Sequence, residues 1–247
     1  MNVQEKIPFF SVIVVSLNAE NSIEGTIRSA LEQTFDDFEI IVKDGCSRDS
    51  TIKHIPEDPR IKVFVEKDTG IYDAMNQATR KACGNYVIYM NCGDSFHDSH
   101  VLQRCYDKMK DSKTPSVWYG HAYVESSQEE FHFDEELGDY FWYLNTLCHQ
   151  SVLFPRCLLG RIPYDTKYRI SADRKLLTNL YFKKVPFRLL DFVVSTYEGN
   201  GVSDSKKGVA MIVKEQRGIR REEFPTDLRI KLYWRHVFLY LKKHLGM

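Results

Sequence analysis

The sequence predicts an α/β fold in which a mostly parallel central sheet is covered by helices on both faces. In the first half of the chain, short β-branched runs alternate with stretches whose apolar residues recur at helical spacing. Turn residues separate these segments at short intervals, as in right-handed β-α-β units. The 247 residues, 43% hydrophobic and 28% charged, suit one large domain of ordinary globular composition.

Four strands are expected in the first half, and the continuously apolar residues of the first two indicate burial on both faces. They cover residues 9–16, 38–43, 61–66 and 85–90. The connecting helices are expected to begin at Asn21 or Ser22 as N-cap and at about Asp49, and to cover 71–83 with Gly84 as C-cap. Because the carboxyl ends of parallel strands meet at one edge, polar residues there are the candidate site.

The second half is less regular. Helices are expected over 99–110 and 172–183, and strands over 116–124, 151–154 and 187–196. Residues 125–139 contain seven acidic residues and no Lys or Arg, and are expected to form a mobile lid or a solvated loop. No internal repeat or linker marks a second domain.

Bulk properties exclude several classes of protein. A formal net charge of zero argues against a nucleic-acid partner. The six cysteines lack zinc-ligand spacing and no signal peptide is apparent, so we expect reduced thiols in the cytoplasm. No apolar run approaches the roughly 20 residues that span a bilayer, so any membrane contact is expected to be peripheral.

Four carboxylates fall at predicted strand or loop ends, and they are the first candidates for chemistry. They are Asp44, Asp68, Asp94 and Asp173. Carboxylates can ligate Mg²⁺ or Mn²⁺, accept a hydrogen bond from a nucleobase, or take a proton from a hydroxyl group. Each also has a structural interpretation, because Asp44 can belong to a turn, and Asp68 and Asp173 can stabilise helix N-termini.

Seven motifs occur in one order along the chain. They are 12–20 (VIVVSLNAE), 42–51 (VKDGCSRDST), 66–84 (EKDTGIYDAMNQATRKACG), 86–94 (YVIYMNCGD), 149–155 (HQSVLFP), 168–173 (YRISAD) and 198–203 (EGNGVS). Together they resemble the bacterial family 2 glycosyltransferases, especially those of capsule, O-antigen and colanic-acid biosynthesis. The resemblance implies a GT-A domain over residues 1–204, with a donor half (1–98) and an acceptor half (99–204), before a basic helical region over 205–247.

The resemblance implies an inverting, metal-dependent transfer of one sugar from a nucleotide sugar to an acceptor. Donor contacts are expected at strand ends and on the helix that follows them, at Ser16, Asn18, Asp44, Asp68, Asp73, Asn76, Asn91 and Gly93. Asp94 would hold Mn²⁺ or Mg²⁺, and Asp173 would act as catalytic base. His149 and Gln150 are the acceptor-side candidates, although an ordinary core or surface role for His149 is an equal alternative.

Two positions depart from the family pattern. Asn91 replaces the first of two metal-site carboxylates, and Ala172 replaces the Glu that usually precedes the base. These departures support an alternative in which the chain is an inactive, nucleotide- or glycan-binding partner protein. The Q-x-x-R-W motif of processive synthases is absent, which favours a single addition. A Rossmann oxidoreductase is disfavoured because no G-x-G-x-x-G follows the first strand. Because Asp44 suits uracil, a UDP-sugar is the preferred donor, with GDP- and dTDP-sugars as alternatives.

The C-terminal stretch 228–245 mixes basic residues with Trp, Tyr, Phe and Leu. Such a basic amphipathic helix suits an anionic membrane surface. This favours a peripheral enzyme on the inner face of the cytoplasmic membrane that acts on a lipid-linked acceptor. The alternatives are a helix packed on the catalytic domain and a contact in a homodimer.

Overall fold

The computed structural model describes residues 6–199 and 206–245, and its strands follow the predicted order. The described strands are β1 (Phe10–Ser16), β2 (Phe38–Asp44), β3 (Ile61–Val65), β4 (Tyr86–Asn91), β5 (Ser95–Phe96), β6 (Val117–Val124), β7 (Glu129–Phe131), β8 (Val152–Pro155) and β9 (Phe187–Tyr197). The described helices are α1 (Ile23–Leu31), α2 (Ile71–Thr79), α3 (Val101–Met109), α4 (Asp139–Leu144), α5 (Arg156–Leu159), α6 (Ala172–Phe182), α7 (Lys206–Glu223) and α8 (Thr226–Leu245), with 3₁₀ turns at Thr51–His54 and His149–Ser151.

The first four strands form the parallel part of the sheet, in the order β3-β2-β1-β4. The chain leaves β1 towards β2 on one side and later returns to β4 on the other side. The topological switch point therefore lies between β1 and β4, where ligands bind in open α/β sheets. In this register Ser16 faces Asp44, and Val15 faces Asn91.

The second half makes the sheet mixed. Strand β8 pairs antiparallel with both β4 and β6, β5 pairs antiparallel with β9, and β6 pairs parallel with β9 across an irregular register near His121. Antiparallel neighbours need no crossover helix, which explains why this half lacks the regular β-α alternation of the first half.

Apolar side chains alternate between two cores on opposite faces of the sheet. On β1, Ile13 and Val15 face a cluster that includes α2, α4 and α6, while Val12 and Val14 face a cluster with α1 and α3. Period-two alternation along each strand fills both layers, as expected of a sheet covered on both faces. The core thus holds the strand ends of the switch point in place.

Several local predictions need correction. The helix expected over 71–83 ends at Thr79, and Gly84 is not its C-cap. Gly84 instead packs on β1, where an added Cβ would lie 2.7 Å from backbone atoms. The helix expected from Asp49 is only a 3₁₀ turn. Ser22 and Ser171 occupy N-cap positions but make no side-chain capping bond. The acidic stretch 125–139 contains strand β7.

The two C-terminal helices pack on the catalytic core. Ile219 of α7, Phe224 directly after α7 and Leu232 of α8 are all buried in the same apolar cluster. The expected boundary at 204/205 and most of the motif at 198–203 lie outside the described residues. Among the described helices, none is long and apolar enough to cross a membrane.

Candidate active site

The carboxylate of Asp44 lies at the end of β2 and is completely buried. Its Oδ2 accepts hydrogen bonds from the hydroxyls of Ser16 (2.9 Å) and Ser47 (2.5 Å), and its Oδ1 accepts one from the Ser47 backbone N–H (2.8 Å). The structure therefore brings Ser16 and Asp44 together. Both oxygens of this carboxylate are therefore hydrogen-bonded within the protein.

Asn18 ties the loop after β1 to the loop after β2. Its Oδ1 accepts the backbone N–H of Arg48 at 2.9 Å, and its own N–H donates to the Ser47 hydroxyl at 2.7 Å. Asn18 has a φ of +52°, a left-handed conformation that Asn tolerates better than most residues. The neighbouring Leu17 side chain is exposed.

Asp68 is paired inside the protein with Lys43, a residue that sequence reasoning did not single out. Only 1% of the Lys43 side chain and 9% of the Asp68 side chain are exposed, and Asp68 also accepts the Gly70 N–H at 3.1 Å. A Cβ at Gly45 would lie 2.8 Å from Asp68 Oδ2. Asp68 thus has internal partners in the structure, and its expected contact with the ribose or diphosphate stays a prediction.

The two donor candidates on α2 also have internal partners. Asp73, in the first turn, accepts hydrogen bonds from the Thr69 N–H (2.9 Å) and hydroxyl (3.1 Å), which holds the helix N-terminus. Asn76 is 2% exposed and exchanges two 2.9 Å hydrogen bonds with the backbone of Tyr164. Asn76 is thus buried and hydrogen-bonded within the protein, and its contact with the donor stays a prediction.

Asn91, Gly93 and Asp94 form a tight turn at the end of β4. Asp94 Oδ2 accepts the Asn91 N–H at 3.0 Å, and Gly93 adopts a φ of +101° while its N–H donates to Thr26 Oγ1 at 3.0 Å. Asp94 is only 8% exposed. Burial raises the pKa of Asp94, and hydrogen bonds from Gln150 and from Asn91 partly offset this rise. A cation beside Asp94 would favour its ionised form.

His149 and Gln150 lie on the 3₁₀ turn that leads into β8. The Nε2 of His149 is 3.1 Å from Asn91 Nδ2, and its Nδ1 is 3.6 Å from Asp173 Oδ2. The side chain of Gln150 makes a hydrogen bond to Asp94, and its Oε1 accepts a hydrogen bond from the Cys148 thiol at 3.0 Å. Both acceptor-side candidates therefore lie between the β4 strand end and Asp173.

Asp173 is in the first turn of α6, with 15% of its side chain exposed. The hydroxyl of Tyr72 lies 3.1 Å from its Oδ1 and 2.7 Å from the carbonyl oxygen of Ile170. The N-terminus of a helix stabilises an anion. Burial raises the pKa of the neighbouring Cys148 thiol to about 12, and the charges of Asp94 and Asp173 add to this shift. The two carboxylates therefore share one electrostatic neighbourhood.

The loop before Asp173 is held from outside by Glu215 on α7. The carboxylate of Glu215 accepts three backbone N–H groups, from Arg169 (2.7 Å), Ile170 (3.1 Å) and Ser171 (2.9 Å). It holds the backbone immediately before α6, whereas the Ser171 side chain makes no capping hydrogen bond to the helix. No local sequence pattern links position 215 to position 171, so this contact could not be predicted.

The residues at the β4 strand end suit a hard divalent cation. Asn91 Oδ1 is buried and makes no hydrogen bond within the described part of the chain, and the Asp94 carboxylate belongs to the same turn. Amide and carboxylate oxygens are the ligands that Mg²⁺ and Mn²⁺ prefer. The described residues contain no group of three or more His, Cys, Asp or Glu side chains placed to bind a metal. Two protein oxygens match a cation that takes its other ligands from phosphate and water.

Comparison with known proteins defines the class of enzyme to which this chain belongs. The profile of glycosyl transferase family 2 matches residues 11–173. The chain therefore belongs to glycosyltransferase family 2, and it is a transferase with the GT-A fold. This confirms the family indicated by the seven motifs.

Individual relatives agree with this assignment. A PGL/p-HBAD biosynthesis glycosyltransferase from Mycobacterium bovis is 26% identical over 234 residues, which cover 91% of this chain and 88% of the relative. The putative teichuronic acid biosynthesis glycosyltransferase TuaG from Bacillus subtilis is 36% identical over 94 residues, 36% of this chain and 37% of that protein.

Solved structures support the fold. Residues 1–349 of S. aureus TarS, in complex with UDP-GlcNAc, match with a TM-score of 0.66 and 17% identity, over 95% of this chain and 74% of that one. The mannosyltransferase PcManGT from Pyrobaculum calidifontis, in complex with GDP-Man and Mn²⁺, matches with a TM-score of 0.68 and 18% identity, over 93% and 69%.

Proposed function

We propose that this chain transfers one sugar, with inversion, from a UDP-sugar to a lipid-linked glycan acceptor during surface polysaccharide assembly. One observation carries the proposal. The carboxylate of Asp173 lies 3.6 Å from one ring nitrogen of His149, whose other ring nitrogen contacts Asn91 at the β4 strand end, so the candidate base lies close to the candidate donor site at the switch point. The names of the mycobacterial and Bacillus relatives support a role in glycan biosynthesis.

In this mechanism Asp173 accepts the proton of the acceptor hydroxyl while that oxygen attacks the anomeric carbon opposite the leaving diphosphate. The Tyr72 hydroxyl, 3.1 Å from Oδ1, and the first turn of α6 orient the carboxylate. Ser16, Asn18 and Asp44 form the nucleoside end of the site, and the Ser47 hydroxyl rotates to expose Asp44 to the base.

Asn91 Oδ1 and the Asp94 carboxylate would hold a divalent cation together with the donor phosphates. Such a cation, when bound, stabilises negative charge that develops on the leaving diphosphate. The GDP-Man and Mn²⁺ in the PcManGT structure support this choice of cofactor, and the UDP-GlcNAc in the TarS structure supports a UDP-sugar.

Calorimetric titration with UDP, GDP and dTDP, each with and without Mn²⁺, tests the donor site. We expect metal-dependent binding of UDP that is lost in Asp94→Ala. Asp98→Ala is a matched control, because Asp98 pairs with Arg104 on the surface. If the folded wild-type protein binds none of the three nucleotides, the proposed function is wrong. Such a result would support the alternative that the chain is an inactive partner protein.

The membrane part of the proposal rests on α8. Its inner side packs on the domain, with Leu232 buried and His236 3.2 Å from the hydroxyl of Tyr140. Its outer side carries large apolar side chains at helical spacing that are 53–63% exposed: Ile230, Trp234 and Phe238. Exposed Lys and Arg flank this stripe, a composition that suits an anionic lipid surface.

Vesicle sedimentation tests the membrane contact. We expect the wild type to sediment with vesicles of anionic phosphatidylglycerol, less so at high salt, and the double variant Trp234→Ser, Phe238→Ser to stay in the supernatant. Ile162→Ser is the matched control, because Ile162 is 70% exposed on the catalytic domain. Equal sedimentation of both variants would refute a contact through α8, and concentration-dependent dimerisation lost in the double variant would assign the stripe to a second copy.

A further inference from the structure

We propose that His149 is a positioning residue for Asp173, which it orients through a proton on Nδ1 while the Asn91 amide anchors its Nε2. This inference rests on the proposed function, because it assigns Asp173 the role of base. It changes the role of His149 from an acceptor contact to a link between the donor-side strand end and the base.

The contacts of His149 place it between these two groups. Its Nε2 lies 3.1 Å from the Asn91 side-chain nitrogen, and its Nδ1 lies 3.6 Å from Asp173 Oδ2. Only 14% of the His149 side chain is exposed, against 15% for Asp173. The 3.6 Å separation is longer than a hydrogen bond, and catalytic hydrogen bonds are often loose before substrates bind.

The neighbours of the imidazole fix its tautomer. A carboxylate that faces Nδ1 favours a proton there, because a lone pair in that position would point at negative charge. The Asn91 amide then donates to the lone pair of Nε2, and its Oδ1 stays directed away from the ring. Each ring nitrogen thus faces a polar group of the protein: Nε2 faces the Asn91 amide and Nδ1 faces the Asp173 carboxylate.

The backbone around His149 is suited to positioning. The 3₁₀ turn is held by the Ser151 hydroxyl, which is buried and bonded to the His121 carbonyl oxygen at 2.9 Å and to the Ser195 hydroxyl at 2.6 Å. It leads into β8, which pairs with β4 on one side and β6 on the other. A side chain on such a turn can hold a carboxylate within the small tolerance that catalysis requires.

The first test needs no turnover. Nitrogen-15 NMR of labelled histidine at about pH 8.5, where an ordinary imidazole is neutral, reports which ring nitrogen carries the proton. The His149 signal is assigned by its loss in His149→Gln. We expect the Nδ1–H tautomer in the wild type and a shift towards Nε2–H in Asp173→Ala. A dominant Nε2–H tautomer or a doubly protonated ring in the wild type would overturn the inference.

The second test uses two isosteric substitutions. The amide nitrogen of His149→Asn takes the place of Nδ1, whereas the amide of His149→Gln takes the place of Nε2. UDP release from a panel of UDP-sugars, with water as acceptor, supplies kcat and KM. We expect kcat to fall about 10²-fold in His149→Gln, the scale of a misplaced catalytic group, with UDP affinity unchanged. His149→Asn should retain most of the turnover.

The outcomes separate the inference from the proposed function. If Gln is active and Asn is not, the Nε2 contact matters and the positioning role is wrong. If both variants raise KM with kcat unchanged, His149 binds substrate and the inference is again wrong. If the wild type neither binds UDP nor releases it, the proposed function fails, while the NMR result still decides whether His149 directs Nδ1–H at Asp173.

Discussion

Removal of the Glu215 carboxylate should loosen the loop that carries Asp173. Glu215 is half-buried on α7 and accepts three backbone N–H groups at 2.7–3.1 Å from consecutive residues before α6. Glu215→Ala leaves these groups without a protein partner. Because α7 itself is anchored by Ile219 and Phe224, the substitution should leave the helix in place and act on the loop alone.

The magnitude follows from the three contacts. A hydrogen bond to a charged group contributes about 1.5–3 kcal/mol, but water can replace part of it where the loop is exposed, as at Arg169. We therefore expect a loss of about 2–4 kcal/mol in the free energy of unfolding. Looser placement of Asp173 should lower kcat by about 10²-fold, with UDP affinity unchanged because the donor strand end is untouched.

Urea denaturation measures the stability, and UDP release with a separate UDP titration measures the function. Glu222→Gln is the matched control, because Glu222 lies on the same helix and pairs with the side chains of Lys167 and Lys175 instead of the loop backbone. It should lower stability without a change in kcat. Equal kcat in Glu215→Ala and wild type would refute the claim that α7 holds the base loop.

Three further predictions concern stability, each measured by urea denaturation. Lys43→Met should cost about 3–5 kcal/mol, because it leaves the buried Asp68 charge unpaired, and a cost below about 1 kcal/mol would contradict the buried pair. Burial alone would raise the pKa of Glu222, but hydrogen bonds from two lysines lower it from 4.5 to about 2. Its contribution to the free energy of unfolding is therefore complete above pH 4.5 and is lost as the pH falls towards 2. In Glu222→Gln the free energy of unfolding should fall less steeply over this pH range than in the wild type, and an unchanged slope would contradict this. Gly84→Ala should cost about 1–3 kcal/mol by overpacking β1, whereas Gly25→Ala, with nothing within 4 Å, should not destabilise the protein.

The strands of the first half could be predicted because their signal is local. A buried parallel strand is a continuous apolar run, and β1, β2 and β4 were each predicted to within one residue at either end. The order of strands in the second half was not predictable, because antiparallel pairing of β8 with β4 and β6 depends on contacts between distant segments. The short helix α4 was not predicted, because the acidic stretch 125–139 that leads into it shows no helical periodicity.

The positions of the candidate site were easier to predict than its contacts. Polar residues at strand ends converge in any parallel sheet, so spacing and resemblance could predict that Ser16, Asp44 and Asn91 lie close together, as the strand register shows. Which carboxylate faces solvent depends on partners elsewhere in the chain. Asp68 pairs with the buried Lys43 ammonium, and the Asn76 amide bonds to the backbone of Tyr164. Neither contact can be predicted from the neighbouring sequence.

The same reasoning gives a physical account of the departure at position 91. From the sequence, Asn91 could be understood only as a weaker replacement for a metal-binding carboxylate. In the structure its amide offers two different groups, a nitrogen that donates to His149 Nε2 and an oxygen directed away from that ring. A carboxylate at this position could only accept, so it would require a proton on Nε2 and remove the reason for Nδ1–H to face Asp173. Asn91 is therefore compatible with an active base in a way that the residue pattern alone could not indicate.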